Sequence, residues 1–353
     1  MRSHRLFVLG VAAAAALFST TADGQWLNYP TPGTPRLPDG KPNLSAPAPR
    51  TSDGKPDLTG VWRGAGPLYR FNIAQDLEPG DVQPWAEELF LKRLHDFRKD
   101  SPLAQCLPVS VPYHNFFNLS RIVQTPTLTL ILYESPNSPH RTVYTDGREL
   151  PKEPNPAWLG YSIGRWEGDT LVVTTTGFND EGWLDSAGHP QTESLRLTER
   201  IHRRDFGHLD FDMTIDDPKV FTKAFTIKTT RLLAPDTDLL EDVCENESDQ
   251  AHMAGDSGVR VSPALLATYA GVYELGPGRQ VAFTVVSDML WVRGLNEPKL
   301  PLLAKSDTQF MSTANPLGYE FVKDAQGNVT QVIVRGGANG TQKGVRTAVS
   351  PRR

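Results

Sequence analysis

Hydrophobic and polar residues alternate with a period of two along most of the chain. Leu195, Leu197, Glu199 and Ile201 alternate with Arg196, Thr198, Arg200 and His202. After a turn at Asp205-Phe206-Gly207, Leu209, Phe211, Met213 and Ile215 alternate with His208, Asp210, Asp212 and Thr214. This period predicts a hairpin with one buried face. Upstream, Tyr161–Trp166 and Thr170–Thr176 flank the turn Glu167-Gly168-Asp169, a second predicted hairpin. Further strands are expected at Leu58–Trp62, Ile122–Gln124, Leu128–Tyr133, Arg141–Thr145 and Phe221–Thr230. One helix interrupts them, from about Pro84 to Arg98. Pro84 suits a first helical turn, and Trp85, Leu89, Leu94 and Phe97 make an apolar face. Antiparallel hairpins without intervening helices predict an all-β domain, an antiparallel barrel or sandwich over residues 58–247.

Both ends carry different patterns. Residues 248–261 are polar and read as a linker. A short helix at Pro263–Tyr269 and a run of short strands from Gly271 predict a second, small antiparallel β domain over 262–353. Residues 25–57 form a Pro-rich arm with a tandem repeat, Pro35-Arg36-Leu37-Pro38-Asp39-Gly40-Lys41-Pro42-Asn43-Leu44 and Pro49-Arg50-Thr51-Ser52-Asp53-Gly54-Lys55-Pro56-Asp57-Leu58. Proline and Asp-Gly favour turns here, so the arm is expected to be a spacer or a strap on the barrel. Residues 1–24 have the layout of a signal peptide: basic Arg2 and Arg5, an apolar run from Leu6 to Phe18, then small residues up to Gly24. That run is too short for a membrane span, and no later stretch reaches the required length. The expectation is a periplasmic or secreted protein, cleaved near Gly24.

Composition narrows the partners. The net charge is −5 with both signs interspersed, and no basic stripe occurs, so nucleic acid is not expected. No cofactor or metal motif is expected either. The two cysteines, Cys106 and Cys244, are predicted to form a disulfide in an oxidising compartment.

The segment Asp53-Gly54-Lys55-Pro56-Asp57-Leu58-Thr59-Gly60-Val61-Trp62, with Gly164-Arg165-Trp166-Glu167-Gly168-Asp169-Thr170-Leu171-Val172-Val173, resembles a large group of exported soil-bacterial proteins. The resemblance spans roughly residues 35–250 and implies architecture rather than a reaction. Leu-Thr-Gly-Val-Trp also looks like the opening strand of lipocalin-type barrels. The expected fold is therefore a lipocalin-like antiparallel barrel with one inserted helix. The C-terminal part, from Tyr269-Ala270-Gly271-Val272-Tyr273 through Phe310 and the Gly327 turn, is similar to the small β domain appended to serine β-lactamase-like hydrolases.

Candidate chemistry is sparse. Gly160-Tyr161-Ser162-Ile163-Gly164 matches a nucleophile elbow, but a strand rather than a helix follows, which places Ser162 in a ladder. His202, His208, Asp210 and Glu199 form an ionisable group that could do acid–base work if their face points into the barrel. The competing expectation is a solvated outer face of cross-strand ion pairs. Arg148, Arg165, Arg200, Trp166 and Trp183 are candidate ligand contacts near the central hairpin. The loop 178–189, holding Asp180, Trp183 and His189, is expected to be a lid. Three functions follow. The first is binding of a small, partly apolar ligand in the barrel. The second is a cofactor-independent lyase, isomerase or hydrolase using the His and carboxylate group. The third is an envelope interaction protein.

Overall fold

The structure is a computed structural model that describes residues 30–244 and 259–347, apart from 65–66, 79, 97, 117–118, 136, 138–139, 287, 295–298, 313–316 and 338–339. The expected signal peptide and almost all of the expected linker lie outside the described residues.

Two closed β-barrels follow one another along the chain, one of nine strands and one of eight. The first comprises β1 (Gly60–Arg63), β2 (Leu119–Gln124), β3 (Leu128–Tyr133), β4 (His140–Tyr144), β5 (Tyr161–Glu167), β6 (Thr170–Thr176), β7 (Arg196–Arg203), β8 (His208–Asp216) and β9 (Phe225–Leu233). Its strands follow one another in sequence order, and β1 pairs with β9 through Trp62↔Leu233 and Arg63↔Leu232 to close it. The barrel is not wholly antiparallel: β4 and β5 run parallel at Val143↔Ser162. A 16-residue connection, 145–160, joins that pair and carries the chain back to the same end.

Between β1 and β2 the described residues form not one inserted α-helix but three: α1 (Pro67–Phe71), α2 (Pro84–His95) and α3 (Val111–Phe116). Helix α2 begins at Pro84 as expected but turns a different face inward. Ala86, Phe90 and Leu94 are buried, while Trp85 is exposed and donates its indole N–H to the Lys219 carbonyl. A spacing of four residues gives a cleaner stripe than the predicted one. Every residue of α3 is buried.

The arm is a strap. Each repeat closes the same loop: Leu37 N–H to Lys41 O and Thr51 N–H to Lys55 O are both 2.9 Å. Arg36 clamps its own Gly40 carbonyl and Asp236, and Arg50 clamps Gly54 and Asp169. Leu44 lies so close to the β7–β8 turn that a Cβ on Gly207 would sit 2.4 Å from the Leu44 Cβ. Only glycine fits at that turn. Cys106 and Cys244 form a disulfide, as expected, with Cα atoms 5.7 Å apart.

The second barrel comprises β10 (Gly271–Gly276), β11 (Arg279–Val286), β12 (Met289–Gly294), β13 (Leu300–Ala304), β14 (Gln309–Ser312), β15 (Gly318–Lys323), β16 (Val329–Gly337) and β17 (Gly340–Arg346), preceded by α4 (Pro263–Tyr269). Its core is a stack of rings. Phe321 packs on Tyr269 at 4.3 Å and edge-on to Phe283 at 4.9 Å. Helix α2 bridges the barrels: Phe90 and Leu94 join the core cluster of the second barrel, with Phe90 6.3 Å from the Trp291 ring.

Candidate ligand site in the first barrel

The alternation of β7 settles which face points inward. Leu197, Glu199, Ile201 and Arg203 are buried, and the residues between them are not. On β8 the buried set is Leu209, Phe211, Met213 and Ile215. His202, His208 and Asp210 therefore stand on the outer face, and Glu199 alone of that group points into the lumen. The four do not form one site. His208 pairs with Asp205 at 2.6 Å, Asp210 with Arg204 at 2.8 Å, and His202 faces the Asp169 carbonyl. This is the cross-strand network of a solvated face, and it follows from the pleat: consecutive side chains cannot share a face.

The five candidate contacts also divide. Arg165 and Arg200 are on the outer face, paired with Glu149 and Glu167. Arg148 is held at the rim by Asp146 and the Tyr161 hydroxyl, and it stacks 3.8 Å from the Tyr144 ring centroid. Trp166 is half-buried against the first core, under Lys55. Trp183 is buried beneath Arg93, whose guanidinium lies 4.3 Å from its ring.

The loop expected to be a lid is instead packed inside. Asp185 accepts backbone N–H bonds from Ile73, Ala187, Gly188 and His189, and its other contact is the His189 ring at 2.5 Å. His189 stacks on Phe90 at 3.9 Å. A carboxylate with that many donors is saturated, and the pair acts as a knot that fixes the loop.

The lumen holds the polar chemistry. Arg141 on β4 and Glu199 on β7 form a two-pronged ion pair, with Nη2 to Oε2 at 2.5 Å and Nη1 to Oε1 at 3.1 Å. Their side chains are 2% and 1% exposed, so both charges are out of water. Arg141 also donates to Ser162 and Thr175, whose hydroxyls meet at 3.0 Å. Asn115 of α3 donates to Glu199 at 2.9 Å. Burial pulls the Arg141 guanidinium down, but Glu199 and Tyr133 more than reverse this and leave it raised. Ser162, at the centre of the elbow-like sequence, is thus a strand residue that orients an arginine.

Around this pair stand polar atoms without partners. His114 of α3 stacks on Tyr133 at 4.1 Å, and its Nε2 has no hydrogen bond. The Tyr133 hydroxyl lies beside Arg141 without a well-formed bond. Arg231 of β9 uses only Nη2, to Ser120 at 2.5 Å and the Trp62 carbonyl at 3.4 Å, and its Nε is unpaired. Burial lowers His114 to about 3, helped by Arg141, so its imidazole is neutral. Burial also pushes Arg231 down to about 10, which leaves it charged at neutral pH.

The sequence reading missed Arg141, Arg231, His114 and Tyr133. Arg141 and Arg231 occupy inward registers of β4 and β9, but those strands are too polar for the position to show, unlike that of Glu199 between Leu197 and Ile201. Among the described residues, no three His, Cys, Asp or Glu side chains could hold a metal ion.

No family model matches the chain, and no curated protein does. Among solved structures the chain is similar to SurE, in a crystal structure with D-Leu, at 14% identity and a TM-score of 0.21. The match covers 57% of this chain and 42% of that one, so the chain spans less than half the length of that neighbour. A likeness this weak carries no argument about fold or function.

Proposed function

We propose that the first barrel binds a small, partly apolar molecule in its lumen, and that the protein does so outside the cytoplasm after loss of its leader. One observation carries the reading: buried polar atoms of His114, Tyr133 and Arg231 have no well-formed hydrogen bond around a fixed ion pair, inside a barrel that also has a large apolar core. Buried polar groups are normally satisfied, because each orphan costs about 1–3 kcal/mol. A lumen that only filled space would not need them. Walls such as Trp62, Ile122, Phe211 and Ile227 supply the apolar part. The disulfide supports the oxidising location. The enzyme alternative, which needed His202, His208 and Asp210 inside, finds no support in their outward placement.

The test is thermal unfolding of the mature chain against a panel of small amphipathic molecules. A ligand at a hundred times its dissociation constant adds about 2.7 kcal/mol to the transition of the barrel that binds it. If no compound moves the first-barrel transition, and native mass spectrometry of freshly exported protein finds no co-purified molecule, the binding function is wrong.

A further inference from the structure

The charges in the lumen do not sum to zero. Arg141 and Glu199 form the close pair, and Glu199 also lies near enough to Arg231 to raise it against the effect of burial, but among the described residues no carboxylate contacts Arg231. Another arginine of the same barrel shows what a purely structural role looks like. Arg203 is also buried, and its fork is filled by the carbonyls of Asp57, Thr59, Asp205 and Phe206 while it lies over the Trp62 ring. Arg231 has one hydroxyl and one distant carbonyl, both on the same nitrogen. A buried cation left without an anion is among the costliest groups in a protein interior.

We propose that the lumen ligand is a monoanion, a carboxylic acid with an apolar body, whose carboxylate pairs with Arg231. The inference rests on the lumen-binding reading and deepens it. Arg141 and Arg231 around the single Glu199 carboxylate leave one positive charge in excess, which calls for one negative charge. The unpaired Nε belongs to a planar fork suited to a planar carboxylate. The Tyr133 hydroxyl, on the residue paired across the ladder from Ser120, is a free donor beside the same position. The apolar walls fit a hydrocarbon or aromatic body and disfavour a highly charged phosphate ester. Helix α3 contributes His114 and Asn115 to the lumen.

The experiment compares matched pairs on the full mature chain: benzoate with benzamide, and octanoate with octanol, with sodium chloride as an ionic control. Binding is read by calorimetry and thermal shift. The expected result is that each carboxylate binds at least about tenfold tighter than its neutral partner, the ratio a hydrogen bond to a charged group supplies. R231Q should abolish that preference, and R335Q on the outside of the second barrel should keep it. R231M, free of its buried charge, should melt at a higher temperature than the unliganded parent. Equal binding of acids and their neutral partners by the parent would overturn the anion while leaving the lumen function standing. No binding by either class would remove both. The parent comparison decides the matter even if the Arg231 variants do not fold.

Discussion

The two barrels of this chain are closed by the same kind of strand ladder and filled in opposite ways. The second is packed with interlocking rings of Tyr269, Tyr273, Phe283, Phe310 and Phe321, and no charged side chain is buried in it among the described residues. The first encloses three arginines and a glutamate on its strands, with a histidine and an asparagine from α3. Ring packing gains area and edge-to-face contacts at no electrostatic cost. Burying ions gains little stability and is often no better than packing hydrophobes. The contrast teaches that the first interior is shaped by something other than stability, whereas the second is dominated by apolar packing.

Four changes test that contrast. The largest effect should come from E199Q, which leaves Arg141 buried without its carboxylate. A loss of about 3–5 kcal/mol is expected in urea unfolding, and the paired change R141M/E199L should recover most of it. If the double variant is as unstable as the single one, the ion pair belongs to the core in the ordinary sense. Next, removing the disulfide with C106S/C244S should cost about 2–4 kcal/mol, and the loss should fall on the first barrel's transition, since both cysteines lie between β1 and the C-terminal barrel.

Acid should act on the first barrel through His114. Its folded value, about 3, lies below the unfolded value of about 6.5. The unfolded chain therefore binds the proton first, and stability falls as pH drops from about 6.5 towards 3. The loss should reach about 2 kcal/mol by pH 5. H114F should flatten the curve across that window, as measured by unfolding at pH 7 and pH 5. The smallest effect is expected outside: H208A should cost about 1 kcal/mol or less and leave any ligand-induced shift unchanged.

Much of the fold was legible from alternation. The hairpins at 161–176 and 195–216 appear within a residue or two of where the pattern puts them, because one wet and one dry face force a period of two. The parallel β4–β5 pair was not legible, since 145–160 carries no pattern that fixes strand direction. Helices α1 and α3 are too short for a helical period to show. The site was half legible. Glu199 stood out as a charge in an apolar register, yet Arg141 shares the buried face of the short strand β4 with Val143 alone, and Arg231 that of the polar strand β9 with Ile227, so periodicity alone does not mark them. The outward group of His202, His208 and Asp210 drew notice because ionisable residues are conspicuous in sequence whether or not they are buried.

The seam between β1 and β9 has a kinetic consequence. Trp62 and Leu233 meet only after all the intervening chain is in place, and the arm's clamps on Asp169, Gly207 and Asp236 wait for the same event. Contacts so distant in sequence form late and slowly. The strap is made first by the ribosome and docked last. In hydrogen exchange, its amides and those of β1 should be the first of this barrel to open.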